Sequence, residues 1–157
     1  MRACAQGVAS YLKQASLANR GIIVGYDTRF ASEDFASAAA EVAAGNGIKV
    51  YLCPKATPTP VISFGILNQR VGGAIIITAS HNTAIWSGFK YKSEDGSSAP
   101  PEVEAELEKH ISHITATGKI NRLPLAEAVA QERIEYLDLA PIYLDHLTRL
   151  IDLNELR

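Results

Sequence analysis

The chain has 157 residues, 47% of them hydrophobic and 20% charged, with a net charge of −2. That is the size of one domain, or of one domain and part of the next, and it can bury roughly 68–70% of its unfolded surface without a metal or disulfide staple. The composition excludes a disordered chain, no apolar run approaches the ~18 residues of a membrane span, and Met1 to Gly7 lack the apolar stretch of a secretory signal.

The two cysteines, Cys4 and Cys53, have no C-x-x-C spacing. This argues against a disulfide scaffold and a zinc module, and for reduced thiols in a cytoplasmic protein. The charge is uneven along the chain. Residues 1–93 hold nine Lys and Arg against four Asp and Glu, a balance of +5, while residues 94–157 hold six against thirteen, a balance of −7. Anion chemistry is therefore expected in the first part. Glu102, Glu104, Glu106 and Glu108 account for much of the skew as a solvated helix face.

In chain order, residues 2–18 read as a helix with Cys4, Val8, Tyr11, Leu12 and Ala15 on one stripe. Gly21 to Tyr26 is a β-branched run suited to a strand buried on both faces. Asp27 to Ser32 is a loop that ends in an expected N-cap, Ser32, before a helix to Ala44. A second strand runs from Ile48 to Cys53. Thr59 and Pro60 read as the cap and first position of a helix to Gln69. Ala74 to Thr78 is a third strand, Ala79 to Ser87 a loop, and Gly88 to Lys92 a short fourth strand. Pro100-Pro101 opens a helix with Val103, Leu107, Ile111 and Ile114 on one face. Residues 116–133 read as a connector with one short helix, and Pro141 to Ile151 as an amphipathic helix. Alternating strands and helices predict right-handed crossovers. The fold class is a three-layer α/β/α domain with a mostly parallel, four-stranded mixed sheet.

Ligands of such sheets sit beyond the carboxyl ends of the strands. The polar loops there are Asp27–Ser32 and Ala79–Ser87. Thr78-Ala79-Ser80-His81-Asn82 places a serine at a strand tip, where it can act as a nucleophile or phosphate carrier; His81 and Lys90 can move protons or bind anions. A serine hydrolase is the weaker reading: there is no G-x-S-x-G elbow, and sequence neighbours do not ordinarily face each other in a triad. His110 and His113, three apart on a helix, read as solvated or partly buried residues rather than metal ligands.

Gly25-Tyr26-Asp27-Thr28-Arg29, Thr57-Pro58-Thr59-Pro60, Thr78-Ala79-Ser80-His81-Asn82 and Gly88-Phe89-Lys90 together resemble the first domain of the α-D-phosphohexomutases, the phosphoglucomutase/phosphomannomutase superfamily. The resemblance spans residues 2–115. It implies that Ser80 is a phosphoserine that exchanges phosphate with a hexose phosphate through a 1,6-bisphosphate. It implies Mg²⁺, touching Ser80 through its phosphate, with the other ligands in a third domain, and glucose 1,6-bisphosphate or a similar activator. His81 and Lys90 match acid/base or phosphate-orienting positions; Arg29 and Asn82 are carried over as substrate- or phosphate-binding residues. The expected partners are the hexose phosphate and domains II–IV of the same protein, with no nucleic acid and no membrane.

The expected division is residues 1–133 as the α/β/α domain, without the family's N-terminal strand, and residues 134–157 as a linker helix and the start of domain II. The family commonly has proline where this chain has Thr83, and asparagine where it has Ser87. The parts that hold the metal and recognise the sugar are not in these 157 residues, so the chain alone is expected to be inactive. The alternative is a non-catalytic interaction module that keeps the fold.

Overall fold

The computed structural model describes residues 1–152 and 155. The element order is α1 (Arg2–Gln14), a 3₁₀ turn (Ala18–Arg20), β1 (Ile22–Tyr26), α2 (Ser32–Gly45), β2 (Val50–Leu52), α3 (Thr59–Gln69), β3 (Ala74–Ile77), β4 (Phe89–Lys92), α4 (Pro101–Thr117), α5 (Leu125–Ala130), β5 (Ile134–Tyr136) and α6 (Ala140–Thr148). The strands form one sheet in the order β4-β3-β1-β2-β5. β1 pairs parallel with β2 and β3, and β2 parallel with β5; β3 and β4 are antiparallel.

The three-layer α/β class holds, but the sheet has five strands rather than the expected four. The additional strand is β5. Val50 pairs with Ile134 and Leu52 with Tyr136, so the sheet continues past residue 133, where the α/β/α domain was expected to end. Only three residues long and half polar, Ile-Glu-Tyr shows no alternation that would mark it as a strand. Lys49 secures it with an ion pair to Glu135 at 3.2 Å.

Side-chain alternation along the strands separates two cores. Ile22, Val24, Val50, Leu52, Ile75 and Ile77 are buried on the face covered by α1, α2, α4 and α5. Ile23, Ala74 and Ile76 are buried on the other face, under α3 and Leu139. β-Branched residues on both faces are what a central parallel strand requires, since neither face meets water. Gly25 lies on the α3 face. A Cβ there would collide with Ile62 of α3, so the helix rests directly on strand backbone.

Other boundaries differ in small ways. α1 stops at Gln14 and the 3₁₀ turn takes up 18–20. Ser32 is not the N-cap of α2. Ala31 holds that position with φ 58°, and Ser32 is the first helical residue, buried and turned toward Asp27. The carboxylate competes successfully for its hydroxyl because a charged acceptor outweighs a neutral helix amide. α6 docks on α3 by packing Tyr143 and His146 against Phe64 at ring distances of 5.5 and 4.8 Å. Leu144 and Leu150 are exposed. The expected closing join to a second domain lies partly outside the described residues. Among the described residues no helix is long and apolar enough to cross a membrane.

Gly25→Ala is expected to destabilise the chain by about 1–3 kcal/mol, as overpacking of a tight contact does; a urea denaturation midpoint compared with wild type measures it.

Candidate functional site

β1 and β3 end side by side, and the loops after them meet. Asp27 N–H still donates to the Ile77 carbonyl at 3.0 Å, extending the parallel ladder by one residue. Beyond it the loops are joined by side chains. Asp27 Oδ1 accepts from the Arg29 amide at 3.0 Å and the Ser32 hydroxyl at 2.9 Å, and Oδ2 from Arg29 Nε at 3.0 Å. Thr78 adds a further hydrogen bond to the carboxylate. Thr78 Oγ1 in turn accepts from the Ser80 amide at 3.0 Å.

Arg29 then crosses to the second loop. Nη1 donates to the carbonyls of Thr83 at 2.7 Å and Trp86 at 3.1 Å; Nη2 donates to those of Ser80 at 2.8 Å and Asn82 at 2.7 Å. With Nε on Asp27, all five guanidinium N–H groups are engaged, the full donor complement of an arginine. The side chain is only 14% exposed. The base of the loop is closed by the Thr78 amide on the Gly88 carbonyl at 3.1 Å, where a Cβ on Gly88 would meet the Thr78 carbonyl oxygen.

Ser80 stands at the tip with φ 56°. A left-handed conformation at a non-glycine residue costs free energy and persists only where its surroundings impose it. Here Thr78 holds the Ser80 amide and Arg29 its carbonyl. The turn brings Ser80 Oγ to 3.3 Å from His81 Nδ1, so these sequence neighbours do meet, contrary to the expectation for adjacent residues. Among the described residues no carboxylate orients the far side of His81, and a triad is not formed.

These groups border an open groove of about 810 Å³, lined by Asp27, Arg29, Thr57, Thr59, Ser80, His81 and Asn82 among others. Arg29, Ser80, His81 and Asn82 are thus brought together. Lys90 does not line the groove. It is exposed on β4, opposite Ile76 in the register, and therefore on the same sheet face as that groove residue. No hydrogen bond or ion pair engages Lys90 among the described residues. Asp27 and Thr78 are the members that motif reasoning did not assign. The i, i+2 spacing of Asp27 and Arg29 was the available signal, since an Asp commonly bonds the backbone two residues on. Trp86 is exposed and meets Arg29 only through its carbonyl.

Mg²⁺ fits this chain poorly by itself. Among the described residues no three His, Cys, Asp or Glu side chains come together to hold a metal. The groove's carboxylate, Asp27, is already occupied by hydrogen bonds.

Fold and site define an α/β domain that presents a serine from a strand tip above an open groove. A family model for phosphoglucomutase/phosphomannomutase, alpha/beta/alpha domain I, matches residues 1–118. The phosphoglucomutase of Staphylococcus saprophyticus is 31% identical over 137 residues, which are 87% of this chain and 25% of that protein. The "probable phosphomannomutase" of Haemophilus influenzae is 34% identical over 126 residues, 78% of this chain and 26% of that protein. A crystal structure of a "putative phosphomannomutase" from Thermus thermophilus superposes with a TM-score of 0.81 at 29% identity, covering 98% of this chain and 32% of that one. The chain belongs to the phosphoglucomutase/phosphomannomutase family and carries its α/β/α domain I. It spans about a quarter of the length of the curated relatives it matches.

Burial raises the Asp27 carboxyl, but the hydrogen bonds from the Arg29 amide, Thr78, Ser32 and the Arg29 guanidinium outweigh it and hold the group below its ordinary 3.8. A carboxyl depressed in the folded state stabilises above its unfolded pKa, and that stabilisation is lost as pH falls through the folded value. The Ser80 loop is therefore expected to keep its amide hydrogen-exchange protection from neutral pH down to the ordinary carboxylate range and to open only in stronger acid. Asp27→Asn should remove that acid transition and leave the loop less protected at pH 7.

Proposed function

We propose that this chain is the phosphoserine-bearing part of a phosphohexomutase, and that Ser80 carries the phosphate between the 1- and 6-positions of a hexose phosphate by way of a 1,6-bisphosphate. The observation that carries the reading is Ser80 itself: a strained, exposed hydroxyl held at the strand tip from both sides of its peptide, at a groove in a chain of this family. Strain retained at an exposed polar residue is a feature of functional sites.

In the transfer the bond between phosphorus and Ser80 Oγ breaks as one forms to a sugar hydroxyl oxygen. The sugar proton leaves, and Ser80 Oγ regains a proton. In the second half the phosphoryl group from the other sugar position returns to Ser80. Phosphoryl transfer needs positioning and charge stabilisation more than covalent help. In this reading His81 holds or returns the serine proton, which its 3.3 Å distance from Ser80 Oγ supports. Lys90, without a protein partner among the described residues, is free to meet a phosphate oxygen with its ammonium group. Asn82 offers an amide side chain at the groove wall. Mg²⁺ and an activating bisphosphate belong to the whole protein's chemistry in this proposal, with the remaining metal ligands and sugar contacts on domains II–IV. Two free cysteines suit the reducing cytoplasm.

Intact-mass measurement tests the reading. Incubation with glucose 1,6-bisphosphate is expected to give a species about 80 Da heavier that Ser80→Ala abolishes; a full-length protein that never acquires it is a non-catalytic module instead. The 157-residue chain assayed with glucose 1-phosphate, glucose 1,6-bisphosphate and Mg²⁺ is expected to show no mutase turnover, and clear turnover would overturn that part of the proposal.

A further inference from the structure

Two members of the site, Asp27 and Thr78, have no part in the transfer described so far, and both bear on how Ser80 is held. A residue's backbone is fixed only when the peptide units on both sides of it are held, since its N–H belongs to one and its C=O to the other. At Ser80 both are. The amide ends on Thr78 Oγ1 at 3.0 Å and the carbonyl on Arg29 Nη2 at 2.8 Å. Thr78 in turn hydrogen-bonds the Asp27 carboxylate, and Asp27 is paired with Arg29 at 3.0 Å. The two arms therefore meet on one ion pair and close a ring of contacts around the left-handed turn at Ser80, φ 56°.

The arms are not equally redundant. Arg29 grips the loop through four carbonyls, so the carbonyl side is held at several points. Among the described residues the amide side rests on Thr78 alone. The direction of that arm follows from its chemistry. An ionised carboxylate has no proton to give, so the single hydroxyl hydrogen of Thr78 goes to Asp27 and a lone pair is left for the Ser80 N–H. That hydrogen is then committed, and Thr78 has none for a phosphate oxygen although it lines the groove. Thr78 is itself well fixed. Its amide bonds the Gly88 carbonyl at 3.1 Å, it is 8% exposed, and branching at Cβ restricts its χ1. Without the hydroxyl, the amide of exposed Ser80 would turn to water. The left-handed turn, costly at a non-glycine residue, would lose one of the two contacts that impose it, and the 3.3 Å approach of Ser80 Oγ to His81 Nδ1 would go with it.

We infer that Thr78 is a positioning residue for phosphoryl transfer at Ser80: its hydroxyl fixes the turn that presents Ser80 Oγ to the groove beside His81, and it donates nothing to the phosphate. This rests on the reading of Ser80 as the phosphate carrier and adds how the carrier is aimed. An in-line displacement needs the serine oxygen in a narrow range of positions, and a misplacement of about 1 Å can cost on the order of a hundredfold in rate.

The test compares Thr78→Val with Thr78→Ser in the whole chain. Valine keeps the branched shape and removes the hydroxyl; serine keeps the hydroxyl. The first quantity read is the backbone of Ser80, from its one-bond Cα–Hα coupling and ¹³C shifts in NMR, which separate positive from negative φ. The second is the rate at which the phosphorylated species forms over a range of glucose 1,6-bisphosphate concentrations. Thr78→Val is expected to move Ser80 to negative φ while resonances outside the two loops stay in place. It should lower the saturating rate on the order of a hundredfold and leave the half-saturating concentration unchanged, as displacement of a reacting atom does when substrate contacts are kept. Thr78→Ser should restore both. The inference is overturned if folded Thr78→Val keeps Ser80 at positive φ, if its rate falls only through the half-saturating concentration, or if Thr78→Ser behaves as Thr78→Val does. Should Thr78→Val fail to give a dispersed spectrum, Thr78→Ala removes the hydroxyl without setting a methyl group against the Asp27 carboxylate and is read in the same way. A wild-type chain that never acquires phosphate sinks the carrier reading, and the φ of Ser80 then still decides whether Thr78 sets the turn. An unmoved turn overturns the inference and leaves the Ser80→Ala mass test as it stands.

Discussion

One largely buried cation joins the two halves of the site. The sheet ladder between β1 and β3 ends at Asp27, and nothing in the backbone compels the loops beyond it to meet. Arg29 makes them meet. A guanidinium stripped of most of its water must recover its hydrogen bonds from protein, and four carbonyls from residues 80–86 supply them. Asp27 provides the countercharge at 3.0 Å. Burial of an unpaired charge would be costly, so removing either partner exposes the other to that cost. The left-handed turn at Ser80 and the approach of His81 follow from where those carbonyls are held.

The surrounding fold explains why this chemistry sits where it does. Both faces of the central strands are sealed, one by α1, α2, α4 and α5 and the other by α3. Polar groups can reach solvent only at the strand ends, and at the carboxyl ends the two polar loops emerge together. The close rest of α3 on Gly25 brings Thr57 and Thr59 to the opposite wall of the same groove. A second polar assembly lies outside these loops. Gln6 and Asn46 exchange amide hydrogen bonds at 3.0 and 2.8 Å, joined by Asn121 and Lys13. It ties α1, the end of α2 and the connector after α4 into the layer that backs the sheet.

Long, strongly patterned segments were legible in the sequence. Ile22–Tyr26 and Ala74–Ile77 could only be buried strands, and the helices between them followed from spacing and breakers. The loop motifs identified the serine and the family. Less legible was anything decided by tertiary competition. Ser32 has ideal capping chemistry, but Asp27 claims its hydroxyl. Ile134–Tyr136 is too short for a periodic signal and becomes a strand because β2 offers it an edge. The resemblance implies a substrate- or phosphate-binding role for Arg29. Sequence carries no sign that its donors face the carbonyls of residues 80–86, because that pairing is made between two loops more than fifty residues apart.

The fifth strand bears on where a self-sufficient folding unit ends. The family match closes at residue 118, yet Ala128, Ile134 and Leu139 are all buried against the sheet and its helices. A chain cut at that point would leave β2 as a bare edge with unpaired amides and carbonyls, the kind of surface that recruits other strands. The region after α4 therefore acts as a clasp across more than eighty residues of sequence, and the pairing of Val50 with Ile134 incurs the loop-closure entropy of that span. In kinetic terms such a contact is remote, and its closure is a natural late step in assembly. The stretch that the family model matches and the stretch that closes the sheet are then different lengths of the same polypeptide.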